Sequence, residues 1–100
     1  MNFARFDDGD EAILHIEGEL DAVTAPELSP TIDKMVGDHP QRVIVDLSAL
    51  RLIDSSGVGV LVSLYKRVRA LGGDVRIVGV TDQPRAIFRL LRLDAVFVPA

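Results

Sequence analysis

The sequence predicts an α/β fold, and three features carry that expectation. Val43-Ile-Val-Asp-Leu47 and Val75-Arg-Ile-Val-Gly-Val80 are short, mainly β-branched runs of strand character. Between them Val58, Leu61, Val62, Tyr65 and Val68 recur at helical spacing. Strand, helix and strand in that order form a βαβ crossover, parallel and right-handed by the general rule for such connections. At 100 residues the chain is expected to form one domain spanning residues 1–100, with a core large enough to stand without staples.

At the N-terminus, Phe3 and Phe6 mark a short first strand, with Asp7-Asp8-Gly9-Asp10 as the hairpin turn that follows. Ala12, Leu14 and Ile16 alternate with Ile13, His15 and Glu17, a period of two that predicts a second strand with one face more buried; Gly18 is expected to end it. Thr24-Ala-Pro-Glu27 has the form of a capping box with proline in the first turn, and Leu28, Ile32, Met35 and Val36 supply the apolar stripe of a first helix. Pro30 is the misfit, since a proline past the first turn removes a backbone donor, so the helix is expected to start late or bend there. Gly37-Asp-His39-Pro40 closes it as a loop.

Val43 to Leu47 is apolar apart from Asp46, as expected of a central strand covered on both faces, and Ser48 to Asp54 reads as the loop after it. The next helix spans about four turns, with Lys66, Arg67 and Arg69 in its second half and Gly72-Gly73 as its stop. After the strand Val75–Val80, Thr81-Asp82-Gln-Pro84 opens a last helix running through Ile87, Phe88, Leu90 and Leu91, and Val96-Phe-Val98 is a candidate final strand.

Composition excludes several classes of function. With no cysteine there are no disulfides, thiolate nucleophiles or thiolate metal sites, which is compatible with a reducing cytosol. A net charge of −4 argues against nucleic-acid binding, although the basic residues do gather after Arg51, at Arg67 and Arg69 and again at Arg85, Arg89 and Arg92. The N-terminal residues hold no apolar signal region, and no apolar run reaches the roughly 20 residues of a membrane span.

The residues with chemical promise lie at Asp54-Ser55-Ser56-Gly57, where a strand gives way to a helix outside the carboxyl edge of the sheet. A helix start favours negative charge, so a phosphate there is tolerated by its own chain. The plainer role is capping, by Asp54 or Ser55, with Ser56 in the first turn. No Gly-x-Ser-x-Gly elbow accompanies these serines, so they read as groups acted upon. Gly57 and Gly59 each cost ~1 kcal/mol in a helix interior relative to alanine, which close approach by a backbone or a partner would offset. Gly18-Glu-Leu-Asp21 places two carboxylates in a loop after the second strand; with Asp54 they raise a small hydrolase or a magnesium site as a minor reading. His15, on the more exposed face of its strand, and His39, in a turn, are too isolated to specify a metal.

Taken in order, Gly18-Glu-Leu-Asp21, Val43-Ile-Val-Asp-Leu47, Ile53-Asp-Ser-Ser-Gly57-Val-Gly59-Val, Tyr65-Lys66, Gly72-Gly73 and the Phe88-to-Val98 segment resemble the STAS domain of bacterial anti-sigma factor antagonists over nearly the whole chain. The resemblance implies a four- to five-stranded mixed sheet with helices packed largely on one side. It implies that Ser56 is the phosphoacceptor and that Asp21, Asp54, Ser55, Gly57, Val58 and Gly59 belong to a partner-binding surface, with no catalytic residue and no metal site in this chain. The implied partner is a cytoplasmic anti-sigma factor with a histidine-kinase-like ATPase fold, bound by the unphosphorylated protein so that a sigma factor is released. That partner phosphorylates the serine, ATP and magnesium being its cofactors, and a metal-dependent serine phosphatase reverses the step. A docking subunit of a membrane-associated transport or stress-signalling assembly, using the serine loop without phosphorylation, is the alternative. Departures from the family pattern are the Pro26 and Pro30 pair and a short end after the last expected strand.

Overall fold

A computed structural model describes residues 1–97. Strands β1 (Asn2–Asp8) and β2 (Glu11–Leu20) lead to helix α1 (Ala25–Gly37); strand β3 (Arg42–Ile53), helix α2 (Ser55–Ala70), strand β4 (Asp74–Val78) and helices α3 (Asp82–Leu90) and α4 (Asp94–Phe97) follow. The sheet has four strands in the order β1-β2-β3-β4. β1 is antiparallel to β2, while β2, β3 and β4 are parallel, so the sheet is mixed.

Register explains which face carries the core. Ala12 pairs with Val43 and Val43 with Val75, Leu14 with Val45 and Val45 with Ile77, and all six are buried. The alternate set, including Ile13, His15, Ile44, Asp46 and Arg76, is half-buried or exposed. The helices therefore cover one face, and the expectation that β3 is covered on both is corrected: its second face is open. Leu28, Ile32, Met35 and Val36 of α1 and Leu61, Leu64 and Val68 of α2 close the core from above, joined by Phe88 of α3. Each fully buried aliphatic or phenyl side chain contributes about 1.5–3 kcal/mol through removal from water.

Several expectations about boundaries are also revised. β1 runs through Asp7 and Asp8, leaving a tight turn at Gly9-Asp10. Gly18 does not end β2; with φ at +88° it sits at a bulge, and the strand continues to the buried Leu20. β3 is twelve residues long and absorbs nearly all of the expected loop. Its pairing with β2 slips twice, so that its buried residues run Val43, Val45, Leu47 and then Leu50 and Ile53, a change of spacing from two to three that disguises the second half as loop. Pro30 lies on the exposed side of α1, which passes through it without starting late. Thr24 caps no amide of α1 with its side chain, so the capping box does not form. α2 stops before Gly72, as expected. Val96 and Phe97 lie in α4 rather than a fifth strand, and Val98 lies outside the described residues.

Candidate functional site

The extended β3 delivers the Asp54–Ser56 segment directly onto a helix. Asp54 is the N-cap residue of α2, in extended conformation, and Oδ1 accepts a hydrogen bond from the Gly57 amide at 3.1 Å. Its Oδ2 accepts from the Ala22 amide at 3.2 Å, and its own amide donates to the Leu20 carbonyl at 3.2 Å. One residue thus ties the start of α2 to the end of β2 and to the turn before α1. Since Asp54 is the cap, Ser55 is not; Ser55 and Ser56 are the first two residues of the helix, both exposed, and neither side chain hydrogen-bonds to another described residue.

Asp21 is placed beside this segment, at the same edge of the sheet, by the parallel pairing of β2 and β3. Its Oδ1 accepts from the amides of Val23 and Thr24, each at 3.0 Å, and from the Thr24 hydroxyl at 3.1 Å. These bonds, the Thr24 amide foremost, hold the Asp21 carboxyl below its ordinary pKa despite partial desolvation. Thr24 Oγ1 accepts from the Asp21 amide at 2.9 Å and shares its single proton between Asp21 Oδ1 and the Glu19 carbonyl, the latter at 2.9 Å. Asp21 therefore builds the loop that presents Ala22 and Val23, and its carboxylate is a hydrogen-bond acceptor for backbone rather than an acid poised for proton transfer. Among the described residues no group of three His, Asp or Glu side chains is arranged to hold a metal ion.

Gly57, Val58 and Gly59 divide. Gly57 is buried, and a Cβ on it would lie 2.5 Å from the Leu20 carbonyl oxygen and 2.8 Å from Ile53 Cγ1 and Leu20 Cγ, so close backbone approach explains this glycine. Val58 is 7% exposed and points into the core. Neither offers a side chain to a partner; they set the height and angle of the helix start. A Cβ on Gly59 meets nothing within 4 Å, and Gly59 is exposed.

Gly59 opens onto a groove between α1 and α2 with a volume of about 500 Å³. Ser56, Gly59 and Ser63 line it from α2, Ala22, Pro26 and Ser29 from the opposite side. Arg67 and Asp33, paired at 2.9 Å, stand on the lining of the same groove. This groove was missed in the sequence, although the spacing of Ser56, Gly59 and Ser63, three and then four residues, marks one helical face and is the pattern that could have pointed to it.

A second, unforeseen fixture is Gln83. Its Oε1 accepts from the Ile53 amide and its Nε2 donates to the Ile53 carbonyl, each at 2.9 Å. β4 pairs with β3 only between Arg42 and Asp46, so the carboxamide of Gln83 supplies at Ile53 the pairing that a neighbouring strand would. The last residue before the cap is thereby held from both sides.

An exposed hydroxyl at a helix start, a groove running from it, and neighbouring carboxylates committed to backbone amides are the makings of a regulatory binding module. The STAS domain family model matches residues 4–99. The chain is 32% identical to the anti-sigma-F factor antagonist RsfB of Mycobacterium tuberculosis over 88 residues, covering 86% of this chain and 70% of that protein. With the anti-sigma-B factor antagonist of Staphylococcus aureus the identity is 31% over 78 residues, 78% of this chain and 72% of that one. The crystal structure of an anti-sigma factor antagonist from Mycobacterium paratuberculosis superposes with a TM-score of 0.86 at 29% identity, covering 99% of this chain and 86% of the other. The chain belongs to the STAS domain family, among its anti-sigma factor antagonists.

Proposed function

We propose that this chain frees a sigma factor by binding its anti-sigma factor, and that phosphorylation of Ser56 ends the binding. The observation that carries the reading is the position of Ser56, exposed in the first turn of α2 at the mouth of the α1–α2 groove. A partner covering that groove covers the hydroxyl as well. Phosphorylation adds ~1.5–2 negative charges and three acceptor oxygens there. The helix start tolerates the group internally, but a surface fitted to a small neutral hydroxyl meets bulk and charge. A loss of ~3–4 kcal/mol weakens binding several hundredfold, enough to exchange partners.

In this reading the partner is an anti-sigma factor of histidine-kinase-like ATPase fold that transfers phosphate from ATP, with a metal-dependent serine phosphatase restoring the hydroxyl. Asp54 and Ser55 frame the site, Gly57 and Val58 shape it from beneath, and Gly59 leaves room for the partner along the groove. Asp21 acts by holding the adjoining loop. Incubation with candidate anti-sigma kinases and ATP, followed by site-resolved mass spectrometry, tests the proposal. Label on Ser56, lost in Ser56→Ala and kept in Ser55→Ala, is the expected result; label that follows Ser55 instead, or no label with any candidate kinase, overturns it.

A further inference from the structure

Parallel strands are ordinarily shielded on both faces, because the helices that join them pack over the sheet. Here β2, β3 and β4 are parallel, yet the described helices cover one face only, and Ile13, Ile44 and Val78 stand on the other with Phe6 of β1. Phe6 is 58% exposed and Val78 42%. The run Val43-Ile-Val-Asp-Leu47 has the composition of a strand covered on both sides, which a single copy of the chain does not provide.

Register orders this open face into rows. The middle row runs Phe6, Ile13, Ile44 and Arg76 from β1 to β4; His15 beside Asp46 forms the centre of the row on one side, and Glu11 beside Arg42 the centre of the row on the other. A two-fold axis parallel to the strands, passing between β2 and β3, lays each row over its own reverse. Ile13 then meets Ile44 of the second copy at the axis, His15 meets Asp46, Glu11 meets Arg42, and the Arg76 guanidinium covers the Phe6 ring. Toward the edges Ala4 meets Val78, and the one like-charge encounter, Asp8 with Asp74, falls at the outer corners, where Asp74 is already engaged by Arg69 at 3.5 Å. The alternative two-fold, across the strands, sets Arg76 against Arg76 and fits less well.

We propose that two copies of this chain associate through the open faces of their sheets about the axis parallel to the strands, with β2 of one copy over β3 of the other. The isoleucine pairs occupy the centre and the charged pairs surround them, as in other specific interfaces. Packed sheets cross at about 30°, so the match is closest near the axis, where the isoleucines lie. Four strands about 4.8 Å apart, with about seven residues of ~3.3 Å each, give a footprint of about 440 Å² per copy. About 900 Å² for the two is at the low end of specific interfaces and sets a dimer of micromolar rather than nanomolar strength. The α1–α2 groove with Ser56 lies on the helix-covered side and stays open in this dimer, so the inference stands apart from the function proposed above.

Sedimentation equilibrium of the full chain from about 5 to about 500 µM tests this, and should show monomer and dimer in exchange with a dissociation constant of about 10–100 µM. Phe6→Glu, at a side chain that the monomer leaves largely in water, should raise that constant at least tenfold (about 1.4 kcal/mol). Glu11→Arg and Arg42→Glu should each weaken self-association about tenfold, and mixing the two variants should restore it. In the mixed pair every reversed charge again faces its opposite across the axis, whereas the Glu11–Arg42 bridge within each chain stays broken, so a merely structural role for that bridge predicts no rescue. Circular dichroism confirms that each variant folds. A chain that stays monomeric over the whole range overturns the proposal, as does a dimer that Phe6→Glu leaves intact, and a mixture that fails to associate overturns the placing of β2 over β3. A monomeric chain whose Phe6→Glu variant loses binding to an anti-sigma factor would overturn the dimer and give this face to that partner.

Discussion

Substitution of the two glycines at the start of α2 by alanine should change stability in opposite directions, although they are two residues apart on the same helix. At Gly57 the new methyl would lie 2.5 Å from the Leu20 carbonyl oxygen and within 2.8 Å of two further carbons. The nearest obstacle is backbone, which cannot swing aside, and overpacking of this kind costs about 1–3 kcal/mol. The same carbonyl accepts the Asp54 amide hydrogen bond, so its displacement removes about 1 kcal/mol more. Against these, alanine gains up to ~1 kcal/mol in helix propensity, leaving a net loss of about 1–3 kcal/mol. At Gly59 there is nothing within 4 Å to oppose the gain, so Gly59→Ala should stabilise by up to ~1 kcal/mol. Urea unfolding followed by circular dichroism measures both, and for a domain of this size each kcal/mol corresponds to about 4–8 °C in melting temperature. The gain at Gly59 should come with weaker binding, because the methyl projects where the α1–α2 groove is open. A Gly57→Ala chain as stable as wild type would show that α2 shifts freely at its start, and the argument that Gly57 sets the position of Ser56 would fail.

Other expectations concern the carboxylates, the serine and His15. Asp54→Ala removes the acceptor for two amides and should cost about 0.5–2 kcal/mol by loss of the cap, with faster hydrogen exchange at Ala22 and Gly57 as its signature. Asp21→Asn keeps an acceptor oxygen for Val23 and Thr24 but loses the charge; it should fold normally while binding or being phosphorylated more slowly, and wild-type behaviour in both assays would remove Asp21 from the site. Ser56→Asp should bind the anti-sigma partner more weakly than Ser56→Ala, by less than true phosphorylation, since aspartate carries about one charge against ~1.5–2; equal affinities by calorimetry would mean that charge at this helix start is not the switch. His15 donates to Glu17 at 3.1 Å and to Asp46 at 3.2 Å, bonds that need both ring protons and raise its pKa above the ordinary value. The stabilisation it gives is complete below the unfolded histidine pKa of about 6.5 and disappears as pH rises through the higher folded value, so His15→Gln should flatten the alkaline decline in stability.

The parts of the fold visible in the sequence were those where one period persists. Ala12, Leu14 and Ile16 alternate, and Leu28, Ile32, Met35 and Val36 recur along a helix, because each run faces a single core. The second half of β3 was hidden for the opposite reason: two slips in register change its inward spacing from two to three, and Arg51 and Leu52 stay exposed within the strand. Gly18 was mistaken for a stop because a bulge and a strand end ask the same positive φ of the chain. The region of the serines could be located from strand-to-helix succession, but the division of labour within it could not. The cap bond from Gly57 to Asp54 is local and was one of the two cap readings the sequence offered, but that Gly57 is packed against Leu20 is a tertiary fact, set by a β2 residue more than thirty positions away in the chain. Gln83 was invisible for the same reason, since a carboxamide replacing a missing strand leaves no local pattern.

The same contacts bear on how a phosphate at Ser56 would act. Both Asp54 oxygens already hold backbone amides, the cap amide is bound to Leu20, and Gln83 grips Ile53 from the other side. The backbone on the N-terminal side of Ser56 is thus fixed by interactions that do not involve the Ser56 hydroxyl, and the hydroxyl gives up no hydrogen bond to another described residue when it is modified. A switch that worked by remodelling this chain would need the serine to be part of what holds the loop, and it is not. If Ser56 is phosphorylated as proposed, the change would be confined to the surface: charge and volume would be added at the mouth of the groove without a hydrogen bond of the described residues being lost. On the proposed function, a partner bound there would then have to read the phosphate directly, and the discrimination between the two states would lie in the partner's surface.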